Sequence, residues 1–318
     1  MSVRVAITGV GAVSGFGRGA DRLWAALVEG RRAMRERPEL VAAGLSVGPV
    51  ALVEELPLSA PARAATMATW AAEEALADAG RPEAGERFGV SLGTTLGGIA
   101  GWLPLVRAAA SAAHASAAHA GAAHASAAHA SAATSVGLAA PVGWSYAGPA
   151  QAVAAAVGAR GPLVVPSVAC ASGNVALGAA LDLVRRGRCD VVLAGGADAL
   201  HDFVLAGFGA LKAVDAAPCR PFDRDRRGLN LGEAAAFVVV ESEAHARARG
   251  ARIRAFLDGC GVAADAVHMT GPDRTGSGAA RAMQAALADA NRSAGEIGFV
   301  SAHGTATPFN DLMEGKAL

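Results

Sequence analysis

Aromatic side chains are scarce in this sequence, at 4% of its 318 residues. That scarcity argues against the stacking platforms on which single-stranded nucleic acids are held. An excess of charge is missing as well. Lys and Arg total 28, and Asp and Glu total 28, so neither nucleic acid nor an anionic membrane surface is an expected partner. The few cysteines, Cys170, Cys189, Cys219 and Cys260, form no Cys-x-x-Cys pair and match no zinc spacing. The first residues lack the charged leader, apolar core and small-residue cleavage site of a secretory signal, and no apolar run is long enough to span a bilayer. A reducing cytoplasm with free thiols is the simplest setting.

What is present is an alternation of strand-like and helix-like stretches. Val3 to Thr8 reads as a short strand that ends in a glycine-punctuated turn, Gly9 to Gly15. A helix is expected through Asp21 to Glu29. A second is expected with Ser59 as its cap and Pro61 in its first turn, running to Ala79 and stopped by Gly80. Phe88 to Leu92, Val191 to Leu193 and Phe237 to Val240 read as buried strands. The pattern indicates an α/β protein with a mostly parallel sheet covered on both faces. The glycines from Gly9 give no complete Gly-x-Gly-x-x-Gly with an acidic ribose ligand at the right distance, so no dinucleotide cofactor is expected.

Ser111 to Ala133 breaks the alternation with alanine-rich pentads that carry His114, His119, His124 and His129. A five-residue step turns a helix about 140° past a full turn, so these histidines spiral and share no face. They offer no metal set; the stretch reads as a low-complexity insertion, at about 108–135. A second repeat is older. Ala75-Leu-Ala-Asp-Ala79 recurs 211 residues later as Ala286-Leu-Ala-Asp-Ala290, and Phe88 with Phe299 and Gly93-Thr94 with Gly304-Thr305 keep the same offset. One constant offset through a helix, a loop and a strand implies a duplicated α/β half. After Gly304 only fourteen residues follow, Thr305 to Leu318, so the second half is expected to be unfinished.

Cys170 leads the chemical candidates. It stands where the strand-like run at Leu163 to Val165 gives way to a helical one from Ala171. A thiol opening a helix is favoured as thiolate by the unpaired N–H groups and the dipole, and its own N–H could hold an oxyanion. The competing reading is a small buried hydrophobe. His303 lies at the end of an expected strand, Ile297 to Ser301, in a Gly-Thr-Ala-Thr-Pro turn that would hold its imidazole at a rim. Asp223 to Arg227 alternate in charge and read locally as a salt-bridged surface loop.

Several stretches, taken in order, carry a family resemblance: "RVAITGVGAVSGFG", "GVSLGTTLGG", "VACASG", "CRPFDRDRRGLNLGE", "HMTGPDRTGSGAARAMQAALADA" and "SAHGTATPFND". Together they resemble the elongating β-ketoacyl-[acyl-carrier-protein] synthases of the thiolase superfamily. The resemblance implies a thiolase-like fold, duplicated and layered α/β/α/β/α, with 1–245 as the half carrying the nucleophile and 246–318 as the start of a truncated second half. It implies that Cys170 accepts an acyl chain and that His303 assists decarboxylation of a malonyl group on acyl carrier protein. Thr305 and Thr307 match positions that touch the phosphopantetheine arm; Asp311 and Glu314 match supporting acids. The arm belongs to the carrier protein, so no resident cofactor and no metal are implied. A homodimer, or a heterodimer with a related synthase, is the expected assembly.

The sequence departs from the family at Gly232-Glu-Ala-Ala-Ala236, where Gly-Glu-Gly-Ala-Gly is usual. The family's later lysine segment, second histidine and glycine-rich gate would follow Leu318, so the 318 residues are expected to lack part of the site and not to run the full condensation alone. Two alternatives stand beside the enzyme: a non-catalytic chain-length partner, and a thiolase acting on coenzyme A esters. For the pentads, replacing Ser111 to Ala133 by a short Gly/Ser linker is expected to leave the melting temperature almost unchanged. A large fall in melting temperature, or stoichiometric zinc binding lost on deletion, would refute that reading.

Overall fold

The computed structural model describes residues 3–45, 48–60, 62–83, 85–102, 145–268 and 271–318, together with 108, 110 and 111. The histidine pentads therefore lie outside the described residues. The helices are α1 (Ala20–Val28), α2 (Pro38–Ala42), α3 (Arg63–Asp78), α4 (Gly148–Val157), α5 (Ser172–Arg185), α6 (Asp202–Ala210), α7 (Glu243–Ala248), α8 (Ser277–Ala290) and α9 (Pro308–Ala317). The strands are β1 (Val5–Ser14), β2 (Gly17–Arg18), β3 (Phe88–Gly93), β4 (Leu163–Val164), β5 (Val191–Asp198), β6 (Ala234–Ser242) and β7 (Ala255–Phe256). They form one sheet in the order β2-β1-β6-β5-β3-β4, with β7 also on β1.

The sheet is mixed, not mostly parallel. β3 runs parallel to β4 and β5, but β6 is antiparallel to both β5 and β1. Helices on both faces make a strand apolar on both sides whatever its direction, so composition could not distinguish the two cases. Period-two alternation sorts the side chains. Leu193, Phe237 and Val239 join α3 and α4 on one face, while Val192, Ala194 and Val240 pack with Leu181 and Val184 of α5 on the other.

The turn expected from Gly9 to Gly15 begins only at Gly15, because β1 continues through Gly9 and Gly11, with one register shift between Ile7 and Gly9. These two glycines are small for α3, not for a turn. A Cβ on Gly9 would lie 2.1 Å from the Ala75 carbonyl oxygen, and one on Gly11 2.1 Å from that of Ala71. The arrangement recurs in the later half. A Cβ on Gly259 would lie 2.6 Å from the Ala286 oxygen, and one on Gly261 2.1 Å from that of Ala282. Ala286 and Ala282 are the residues that the 211-residue offset pairs with Ala75 and Ala71.

Residues 297–301, expected as a strand, pair with no strand among the described residues. An extended apolar run becomes a strand only through a neighbour, and here Phe299 is 84% exposed.

Ser59 does not cap α3. The helix starts at Arg63 with Ala62 as an uncapped N-terminal residue, and Pro61 lies outside the described residues. The preceding chain is drawn away by Arg63 itself, whose buried guanidinium donates to the carbonyls of Leu56, Pro57 and Val53 and to the Glu233 carboxylate. Glu233 is equally buried and accepts the N–H groups of Val53 at 2.8 Å and Leu200 at 3.0 Å. Arg63→Met would strand a buried carboxylate, at a cost of about 3–5 kcal/mol in denaturant unfolding. A loss under about 1 kcal/mol would show that the pair holds little.

Candidate active site

β1, β3 and β5 run in one sense, so their C-terminal ends at Ser14, Gly93 and Asp198 share one edge of the sheet. α5 starts against that edge because Gly93 has no side chain. A Cβ there would lie 2.2 Å from the Ser172 carbonyl. Between β4 and α5 the chain makes a tight turn, in which Ala171 N–H donates to Val168 O and Ser172 N–H to Ala169 O, each at 3.1 Å. The Ser172 hydroxyl closes it, donating to Ala169 O at 2.6 Å and accepting Val168 N–H at 3.0 Å. Ala169 is held left-handed at φ 49, which costs a residue with a Cβ about 1–2 kcal/mol.

Cys170 sits on this turn and is exposed. It lies two residues ahead of α5 and does not open the helix as its sequence position suggests. What lowers its thiol below the ordinary value is first a hydrogen bond with the His303 side chain, then the charge on His303 and the residue's own N–H. Partial desolvation and the charge on Asp198 push the other way. The imidazole, more than the helix end, favours the thiolate. Cys189 and Cys260 differ: burial pushes both thiols up.

His303 reaches Cys170 from a turn spanning 303–307. Glu314 on α9 accepts His303 N–H at 2.6 Å and Gly304 N–H at 2.7 Å, using both carboxylate oxygens. Asp311, three residues earlier on the same helical face, is buried and accepts Ala306 N–H at 3.1 Å and Phe222 N–H at 2.7 Å. Thr305 and Thr307 are half-buried, with their hydroxyls 2.8 Å apart. The hydrogen bond with Cys170, aided by the charges of Cys170, Glu314 and Asp311, raises the His303 imidazole above its ordinary value against desolvation. Cys170, Asn174, His303, Asn310 and Glu314 line one cavity of about 640 Å³, with Met283 and Met313 on its apolar side.

The structure thus brings Cys170, His303 and Glu314 to one cavity and places Asp311, Thr305 and Thr307 in the turn behind it. Sequence reasoning missed two residues nearby. Asp198 ends β5 and gathers the loop leaving β3, accepting the Thr94 hydroxyl at 2.9 Å, Thr95 N–H at 3.0 Å and Leu96 N–H at 3.3 Å. An acid at the C-terminal end of an apolar strand was its available signal. Arg226 is the second. The salt-bridged loop reading holds for Arg224, whose side chain is 93% exposed, but Arg226 is 16% exposed and turns inward. Among the described residues, no group of three or more His, Cys, Asp and Glu is placed to hold a metal ion, and no helix is long and apolar enough to cross a membrane.

The electrostatics predict a pH profile. A lowered thiol ionises at lower pH, so alkylation of Cys170 by iodoacetamide should rise at a pH where Cys189 and Cys260, both raised, stay protonated. Peptide mass spectrometry at neutral pH should find Cys170 labelled first. Equal labelling of the cysteines would count against the thiolate.

Residues 57–246 match the family described as beta-ketoacyl synthase, N-terminal domain, and residues 254–318 match its C-terminal domain. A nodulation protein E from Rhizobium sp. (strain N33) is 37% identical over 328 residues, covering 100% of this chain and 77% of that protein. A 3-oxoacyl-[acyl-carrier-protein] synthase 2 from Vibrio harveyi is 33% identical over 334 residues, covering 99% of this chain and 76% of that protein. Among solved structures, a type II polyketide acyl-carrier protein in complex with its ketosynthase bound to the hexaketide aligns with a TM-score of 0.83 and 29% identity, over 100% of this chain and 77% of that one.

Proposed function

The chain belongs to the β-ketoacyl synthase family, and from that membership we propose that it is a condensing acyltransferase of fatty-acid or polyketide synthesis, with Cys170 as the acyl acceptor. The observation that carries this reading is the meeting of a lowered thiol and a raised imidazole at the mouth of one cavity. The Cys170 thiolate attacks the carbonyl carbon of an acyl thioester on acyl carrier protein. The bond to the carrier's sulfur breaks, the carrier leaves as a thiolate that takes its proton from solvent, and the acyl group rests on Sγ. A malonyl group on a second carrier then loses carbon dioxide. The carbanion attacks the Cys170 thioester, a carbon–carbon bond forms, and the thiolate returns.

His303 donates to the enolate oxygen as charge develops there, and the Cys170 N–H supports the tetrahedral oxyanion. Thr305 and Thr307 offer their paired hydroxyls to the carrier's phosphopantetheine arm. Glu314 and Asp311 hold backbone N–H groups of the turn and take no part in bond making. The chain needs no cofactor of its own in this scheme, since the arm arrives with its substrate. We read the active unit as a cytoplasmic dimer, and the chain as two related halves meeting at 245/246; the recurring glycine-on-alanine packing supports the second point.

The test separates acyl transfer from condensation. Incubation with octanoyl-[acyl-carrier protein] should add one octanoyl group to the intact chain, and Cys170→Ala should abolish the addition, while Cys189→Ala should leave it nearly intact. An adduct that persists in Cys170→Ala, or no adduct on the parent chain, would reject Cys170 as the acceptor. Carbon dioxide release is followed separately after malonyl-[acyl-carrier protein] is added.

A further inference from the structure

The loop ahead of β6 reads as alternating surface charge, yet one of its arginines is spent on backbone. Arg226 Nε donates to Thr307 O at 3.2 Å, Nη2 to Pro308 O at 2.7 Å and Nη1 to Asp223 O at 2.8 Å. Its Nε also lies 3.7 Å from Asp311 Oδ2, the oxygen that accepts Phe222 N–H. Thr307 is the N-terminal boundary of α9, and Pro308 its first residue. The guanidinium therefore grips the hinge between the His303 turn and the helix that carries Glu314 and Asp311.

That turn does not hold its shape unaided. Gly304 sits at φ 52 and Ala306 at φ 61, and a left-handed alanine costs about 1–2 kcal/mol. Glu314 anchors the entry of the turn and the Asp311 carboxylate its middle; at the exit, Thr307 O accepts Asp311 N–H at 3.4 Å and Arg226 Nε at 3.2 Å, and Arg226 alone of these ties that exit to the loop ahead of β6. On the other side stands the Arg226 loop. A Cβ on Gly304 would come within 3.4 Å of the Phe222 ring and 3.5 Å of Pro221. Phe222 is itself left-handed at φ 61, so two strained segments are pressed together; the Asp311 carboxylate joins them through Phe222 N–H and Ala306 N–H, and Arg226 joins them at the exit of the turn.

We propose that Arg226 is a positioning residue for His303: by fixing the Thr307–Pro308 hinge it sets the imidazole against the Cys170 thiol. The inference rests on the reading that these two side chains work as a pair. The other charged groups that face the pair are Glu314 and Asp311 on α9 and Asp198 at the end of β5, and none of them is altered in the test. Lysine cannot replace the residue fully, because one ammonium does not reproduce a planar fork that serves three carbonyls.

The test is the pH profile of Cys170 alkylation, read by peptide mass spectrometry in the full chain, for Arg226→Gln, Arg226→Lys, His303→Ala and the double variant Arg226→Gln/His303→Ala. His303→Ala should raise the midpoint. Arg226→Gln should raise it in the same direction by about half a pH unit, a roughly threefold slower alkylation at neutral pH. Arg226→Lys should fall between the parent and Arg226→Gln. The double variant should match His303→Ala alone, because Arg226 acts only through the imidazole. A parental midpoint in folded Arg226→Gln, whatever its melting temperature, would overturn the inference, as would additive shifts in the double variant. Should Arg226→Gln fail to fold, Arg226→Lys decides, and a parental midpoint there overturns the inference equally. A parental midpoint in His303→Ala would bring down the pair itself, and this inference with it; shifts in His303→Ala but not in the Arg226 variants would leave the pair standing.

Discussion

The edge of the sheet that carries the chemistry depends on a carboxylate placed where water cannot reach it. Glu233 opens toward β6 with almost no exposure, and a charge in that position is tolerated only because every direction it faces supplies a donor. Arg63 brings the start of α3, Val53 N–H brings the loop before it, and Leu200 N–H brings the chain leaving β5. Two residues before Leu200 stands Asp198, which performs the same service for the loop leaving β3 through Thr94, Thr95 and Leu96. Thr94 O in turn accepts the Tyr146 hydroxyl. The strand ends are thus joined by a relay of polar groups, each fixing the backbone on which the next one stands.

Cys170 inherits its surroundings from that relay and from one steric fact, the missing side chain at Gly93. The balance at its sulfur is a contest of effects acting over short range. His303 favours the thiolate, while partial desolvation and the negative charge of Asp198 oppose it. Asp198 cannot be dispensed with, since it holds the β3 loop, so the imidazole has to outweigh it. This makes the pose of His303 more than a geometric detail. A nucleophile ionised by a neighbour is only as available as that neighbour is well placed.

The parts of this arrangement that could be seen in the sequence are those encoded by local pattern. A strand-to-helix junction with a thiol at Cys170 and a glycine-bounded turn at His303 both announce themselves, whereas Asp311 and Glu314 were indicated by the family resemblance alone. What depends on distant partners did not show. Strand direction is invisible when both faces are covered, so the antiparallel β6 was missed. Gly9 and Gly11 resembled a turn because glycine has the same letter whether it bends a chain or admits a helix. Residues 297–301 have a strand's composition without a strand's neighbour among the described residues. Arg226 looked like one charge among several, because nothing in Asp-Arg-Asp-Arg-Arg says which guanidinium meets carbonyls that lie about eighty residues further on.

The scarcity of aromatic residues and the abundance of alanine belong to the same design. A sheet can be covered by large side chains that hold a helix at a distance, or by small ones that let backbone approach backbone. This chain takes the second course on α3, where Ala68, Ala71, Ala72 and Ala75 are fully buried and the Ala71 and Ala75 carbonyls meet Gly11 and Gly9 of β1. It repeats it on α8 against Gly259 and Gly261. Close approach leaves little room for repacking, so a displaced helix cannot be absorbed by a rotating side chain. Position is then transmitted from element to element with little slack. Under that constraint a site assembled from two separate turns, one before α5 and one before α9, can be held to the tolerance that a thiol–imidazole pair demands by a few carboxylates and the inward-turned Arg226.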